Sequence, residues 1–253
     1  MVEAALIAGT LAGFVLGLLG AGGTVVGLPI LLFLGGLRPH LALGTNALGV
    51  AMVAIVLLVW RLGRRQVALR AALTFTVPGL AGIYLGARLG LAFPGHNLVS
   101  LLGLLLFVIA GWLAYSSTRP TDGSKVDHGV AAGWGVGRTV TLGGVALVVG
   151  AIAGFFAIGG GFMIVPALAV FGGLELMDAA VTALMPVALF AAWVAVQYWT
   201  SGSVAAGASL AMLPTGVGGG VAGAWLGRHL SRRTAQRIFA GFLVVLGVYM
   251  LVQ

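Results

Sequence analysis

Charged positions are so sparse along this chain that they divide it into long apolar blocks. No Asp, Glu, Lys or Arg occurs from Ala4 to Leu37, Pro39 to Trp60, Ala71 to Ala87, Leu89 to Thr118, Thr139 to Leu174 or Ala179 to Gly227. A helix needs roughly 20 apolar residues to cross a bilayer, so each block holds one or two crossings. Nothing alternates apolar and polar over about ten residues, as barrel strands do. The segments 41–60, 70–90 and 97–117 each predict one spanning helix. The block from Ala4 to Leu37 predicts two, broken near Gly20–Gly23. Its second piece, Thr24–Leu37, is only about 21 Å long at 1.5 Å per residue, shorter than a hydrocarbon core, and reads as a half-helix.

The block pattern repeats. Gly17-Leu-Leu-Gly-Ala-Gly-Gly-Thr-Val-Val-Gly-Leu-Pro29 aligns with Gly154-Phe-Phe-Ala-Ile-Gly-Gly-Gly-Phe-Met-Ile-Val-Pro166, 137 positions later. At the same offset Gly35-Gly36-Leu37 meets Gly172-Gly173-Leu174, Thr45 meets Thr182, Val67 meets Val204, and Gly86-Ala87 meets Gly223-Ala224. One offset sustained over about 70 residues is the signature of a duplicated unit. The expected organisation is a first membrane repeat over 1–117, a cytoplasmic connecting loop over 118–138 and a second repeat over 139–253. The loop's mixture of Ser, Thr, Pro, Gly and both charge signs marks it as solvated.

Composition agrees with a membrane class. Of 253 residues, 60% are hydrophobic and 7% charged, against about 25% charged in soluble domains. The +8 formal charge raises nucleic acid as a partner, but arginines in short cytoplasmic loops account for it. No nucleic acid is expected. There are no cysteines, so neither disulfides nor thiolate metal sites form. The Met-Val-Glu start lacks a basic n-region and is not read as a cleaved signal.

Arginine placement tests how the copies face. Arg61, Arg64, Arg65 and Arg70 follow the third apolar segment of the first copy, whereas the matching Thr200–Ser203 carries no charge. One loop later the bias reverses: Arg88 stands alone, but the matching stretch holds Arg228, Arg232, Arg233 and Arg237. Arginine-rich loops stay cytoplasmic, so equivalent loops lie on opposite sides. The fold class expected is therefore an all-α polytopic membrane protein. It has two homologous inverted repeats of four to five helices each, with glycine-broken helices near the midplane and both termini outside.

Inverted repeats with interrupted helices are the architecture of secondary transporters, whose substrates bind at the breaks. The candidate breaks are Gly20-Ala-Gly22-Gly23, followed by Pro29, and Gly159-Gly160-Gly161, followed by Pro166. Amides exposed at a half-helix start, with the positive end of its dipole, suit an anion. Thr24 follows the first cluster, Thr45 and Thr182 are equivalent, and Asn46 adds an amide donor. Gly22, Gly23, Thr24, Thr45, Asn46, Gly159, Gly160, Gly161 and Thr182 are thus the candidate substrate-binding residues, with Pro29 and Pro166 as helix-breaking residues. No Asp, Glu or Lys lies deep in a block, which argues against a carboxylate proton relay. Arg88, near a span end, reads as a snorkelling anchor.

Enzyme chemistry finds no support. His40, His96, His128 and His229 are isolated, and the glycine clusters lack the Lys-Ser/Thr of a phosphate loop. No metal, cofactor or catalytic residue is expected.

The pattern Gly17-x-x-x-x-Gly22-Gly23-x-x-x-x-x-Pro29 with Gly44-Thr45-Asn46, echoed by Gly154…Gly159-Gly160-Gly161…Pro166 and Thr182, resembles the sulfite exporter TauE/SafE family. The resemblance covers essentially the whole chain. It implies a multi-pass permease of the bacterial inner membrane for sulfite or small organosulfur anions. The second copy departs from it, with Val181-Thr182-Ala183 opposite Gly44-Thr45-Asn46. The expected function is a secondary transporter exporting sulfite or a related small sulfur oxyanion, with the bilayer and that anion as partners and homo-oligomerisation left open. An anion channel, a carrier of a non-sulfur anion and a non-transporting scaffold are the alternatives.

Overall fold

A computed structural model describes residues 1–20, 22–62, 67–118 and 135–227, together with 241, 243–245 and 247–248. The connecting loop between 119 and 134, Arg64, Arg65, His128, His229 and the arginines at 228, 232, 233 and 237 lie outside the described residues.

All described elements are helical. They run α1 (Val2–Leu19), α2 (Gly23–Pro29) continued by a π-helical stretch (Ile30–Leu34), α3 (Pro39–Leu62), α4 (Leu69–Ala92), α5 (Gly95–Thr118), α6 (Val136–Phe155), α7 (Gly161–Val170), α8 (Leu176–Thr200) and α9 (Ala206–Gly227). Among the described residues five helices are long and apolar enough to cross a bilayer, namely α1, α3, α4, α6 and the Asp178–Thr200 part of α8. The chain is thus an all-α polytopic membrane protein.

The short elements have local causes. Pro29 carries no N–H and cannot close an α-helical bond, and the backbone widens to π geometry immediately after it. Gly23–Leu34 together is 12 residues, about 18 Å at the α-helical rise. Both short segments end alike. Gly36 (φ 64°) and Gly173 (φ 59°) adopt the left-handed conformation. Leu37 then donates its N–H back to the Leu31 carbonyl at 3.2 Å, and Leu174 to Leu168 at 3.3 Å. Each bond reaches back six residues, one more than the glycine C-cap of an α-helix, because both ends are widened: Gly35 bonds the Ile30 carbonyl and Gly172 that of Ala167. The same closure recurs 137 positions apart.

Small residues set the helix pairs. Between lipid-embedded helices, association relies on close backbone packing more than on apolar burial. Gly9, Gly13 and Gly17 of α1 lie on Met212, Gly216 and Gly220 of α9, so closely that an added methyl would strike main-chain atoms. Gly82, Gly86 and Gly90 of α4 meet Leu147, Ala151 and Phe155 of α6 in the same manner. Numbers rise together in both sets, so each pair is parallel. Among the described residues these are the most extensive helix contacts, followed by α3 against α8. There, Gly44 at the start of α3 packs on Tyr198 at the end of α8 and on Ser203 in the turn after it.

Two threonines fix which ends coincide. Thr45 bonds Ala205 at the start of α9, which places the starts of α1, α3 and α9 and the end of α8 together. Thr182 bonds Ala68 at the start of α4, which places the starts of α4, α6 and α8 at the other end, with Arg61 and Arg70. Hence α1, α3 and α4 each begin at the end opposite to the helix 137 positions further on.

Candidate functional site

The two glycine clusters interrupt the chain where the sequence predicts. After α1, Gly20 (φ 69°) and Gly22 (φ 87°) are left-handed before α2 starts at Gly23. After α6, Ala157 (φ 52°), Gly159 (φ 59°) and Gly160 (φ 65°) are left-handed before α7 starts at Gly161. An L-residue pays roughly 1–2 kcal/mol for that conformation. Ala157 accepts it while buried, its N–H bonded to the Gly154 carbonyl at 3.0 Å.

These breaks meet. The Thr24 hydroxyl, at the head of α2, donates to the carbonyl of Ile158 within the second break. A methyl on Gly159 would sit 3.4 Å from Thr24 Cγ2 and 3.5 Å from Ala191 of α8. From α3, Asn46 Nδ2 donates to the Thr24 carbonyl at 2.7 Å. One buried chain of donors therefore runs from Asn46 through Thr24 to the main chain of the other half. Asn46 Oδ1 is buried without a hydrogen-bond partner and lies against Gly27, where any side chain would collide with it.

Donor capacity at this junction is mostly main chain. The first amides of a helix have no intrahelical acceptor. Val25 closes back to the Gly22 carbonyl at 3.1 Å, and Met163 and Ile164 close back to Gly160 at 2.9 and 3.0 Å. The amides of Gly23, Thr24, Gly161 and Phe162 precede those bonds, and no side chain caps either helix. Two helix starts with uncommitted N–H groups, no carboxylate beside them and a buried hydroxyl form a setting that favours negative charge.

Thr45 and Thr182 sit elsewhere. Both are fully buried, and each hydroxyl oxygen accepts a main-chain N–H from the other half, Ala205 at 2.9 Å and Ala68 at 3.1 Å. One lone pair of each thus serves as a helix cap, and the hydroxyl proton is what each has left to donate to an anion. Sequence reasoning missed Ser209, which is buried and donates to the Thr45 carbonyl at 2.9 Å. It also missed Tyr198, fully buried with its hydroxyl unpartnered, as is Gln197 Nε2. The signal for Tyr198 was present in Gly44, which leaves the space its side chain fills. Pro29 and Pro166 lie within or at the end of the short helices rather than at the breaks.

Apolar spanning helices around two opposed interruptions define a multi-pass membrane protein of the transporter class. The family model for the sulfite exporter TauE/SafE proteins matches residues 5–250, and the chain belongs to that family. It is 31% identical over 246 residues to a probable membrane transporter protein of Xylella fastidiosa (strain Temecula1), covering 96% of this chain and 92% of the relative. It is 25% identical over 257 residues to the probable membrane transporter protein YunE of Bacillus subtilis (strain 168), covering 95% and 94%. No solved structure matches. The chain is a membrane transporter, and its substrate is a small molecule that crosses the bilayer.

Proposed function

We propose that the protein is a secondary carrier that exports sulfite or a related small sulfur oxyanion across the bacterial inner membrane. The observation that carries this reading is the junction of the two breaks, where Thr24 bonds Ile158 and the starts of α2 and α7 bring unpaired amides together. Such donors replace part of an oxyanion's hydration without a fixed positive charge. The anion therefore does not meet a buried counter-ion that would hold it too tightly to release.

The halves, 1–117 and 139–253 joined by a cytoplasmic loop at 118–138, are read as inverted copies that rock about this junction. Supporting this are the opposite starting ends of corresponding helices and the matched caps at Gly36 and Gly173. The family's description as sulfite exporters supports the choice of anion.

Counterflow of radiolabelled sulfite in proteoliposomes tests the proposal, with sulfate, thiosulfate, sulfoacetate and chloride as competitors. A transient overshoot driven by unlabelled sulfite, and blocked selectively by one sulfur anion, is the expected result. Flux without counterflow would identify a channel instead. Properly inserted protein that moves none of these anions would overturn the assignment of substrate.

A further inference from the structure

A basic feature lies outside the junction. At the end opposite Arg61 and Arg70, a cleft of about 510 Å³ is lined by Arg38, His40, Gly95, His96 and Ser203, among others. Three elements build it. Arg38 and His40 flank the start of α3, Gly95 and His96 open α5, and Ser203 comes from the turn between α8 and α9. Gly95 permits the convergence, since a methyl there would press within 2.9 Å of Pro39 and 3.1 Å of His40 Nδ1. His40 is held in turn by the Gly90 carbonyl, 3.4 Å from Nε2, and by the ring of Tyr198, 6.3 Å away between centroids.

The charges run against the helix dipoles. Helix starts are positive and favour acids, as Glu175 and Asp178 illustrate at the start of α8. Here a guanidinium and two imidazoles collect at two helix starts instead. Among the described residues none of the chain's carboxylates pairs with them. The amides of His40, Leu41, Gly95 and His96 precede the first intrahelical bonds, which arrive at Ala42 and Leu98. Among the described residues Ser203 Oγ has no hydrogen-bond partner. A guanidinium, two imidazoles, unpaired amides and a hydroxyl thus line one open cleft as hydrogen-bond donors without an acidic acceptor, a setting that favours an anion.

We propose that this cleft is a reception site for a small, doubly charged oxyanion on the non-cytoplasmic face. The sidedness follows from the arginine-rich loops at the other end. His40 stands six residues before Asn46 on α3, about 9 Å along the helix, so the cleft is one short step from the break junction. It deepens the anion-carrier reading, on which its role in transport rests. Binding itself stands on the cleft alone.

The test is equilibrium binding of radiolabelled sulfate and sulfite to the purified full-length protein, together with counterflow from each face of oriented proteoliposomes. Arg38→Gln and His96→Gln each weaken binding about tenfold, the loss of one charge-assisted hydrogen bond, while Arg38→Lys keeps most of it. Arg88→Gln, another cation at this end that lies outside the cleft, leaves binding unchanged. In counterflow, Arg38→Gln raises KM for anion offered at the non-cytoplasmic face and leaves KM at the opposite face as it was.

Binding that ignores Arg38→Gln, or falls equally with Arg88→Gln, overturns the site, as does wild-type protein that binds neither anion. Arg38-dependent binding without counterflow of any anion overturns the carrier and leaves the cleft. Counterflow indifferent to Arg38 does the reverse.

Discussion

Thr45 accepts the backbone N–H of Ala205 at 2.9 Å, and 137 positions on, Thr182 accepts that of Ala68 at 3.1 Å. Each bond ties the second long helix of one half to the start of a helix in the other. Each also satisfies an amide that a helix start leaves open. Because both hydroxyls are buried, water cannot replace them.

Thr45→Val and Thr182→Val, close in shape, therefore leave a part-buried amide without its partner, at a cost of about 1 kcal/mol each. Thermal unfolding of the detergent-purified variants should begin several degrees lower, and sulfite flux should fall. Thr45→Ser and Thr182→Ser keep the oxygen and should recover both. Valine variants that melt like the wild type would show that the bonds contribute nothing.

The interruptions were legible in the sequence because they are local, and the 137-residue offset because it is read along one chain. Glycine runs inside apolar blocks announce left-handed backbone, and a fixed offset needs only one chain to be seen. The pairing of α1 with α9 and of α4 with α6 was not legible, because a stripe of small residues fits any helix of suitable contour. For the same reason the capping bond of Thr45 was not legible: its amide partner lies 160 residues away. His40 and His96 looked isolated because they lie on separate helices, α3 and α5, that only the fold brings together. The relation of the two breaks at Thr24 and Ile158 was likewise tertiary, although the repeat symmetry hinted at it.

Adjacent glycines in α9 give a sharper test of packing. A methyl on Gly219 would strike the carbonyl of Thr10 in α1, whereas one on Gly218 meets nothing within 4 Å. Gly219→Ala should destabilise by about 1–3 kcal/mol through overpacking. Gly218→Ala should be neutral or gain up to about 1 kcal/mol from helix propensity. Comparing the two melting curves separates contact from composition, since the substitutions are chemically identical and one residue apart.

Asn46 anchors the junction through one donor. Asn46→Asp replaces Nδ2 with an oxygen facing the Thr24 carbonyl, so two acceptors oppose each other in a buried place. Asn46→Ala removes the bond without that repulsion. Aspartate should therefore lower sulfite flux more than alanine does, with alanine itself down about tenfold for the lost hydrogen bond. Equal activity of the two variants would mean that the Asn46–Thr24 contact does not position α2 during transport.

Gly159 distinguishes backbone strain from crowding at the break. A methyl there meets only ordinary contacts at 3.4 and 3.5 Å, but its φ of 59° is one that L side chains adopt at a cost. Alanine should cost about 1–2 kcal/mol through conformation alone and slow flux while leaving the protein inserted. Leucine at the same position adds bulk directly against Thr24 and Ala191 and should abolish flux. Gly160 differs, because a methyl there would come within 2.7 Å of Ala153 Cβ, so Gly160→Ala should impair folding more than Gly159→Ala does. If Gly159→Leu transports normally at wild-type expression, the anion does not pass between the two breaks, and the pathway must be sought along another face of α8.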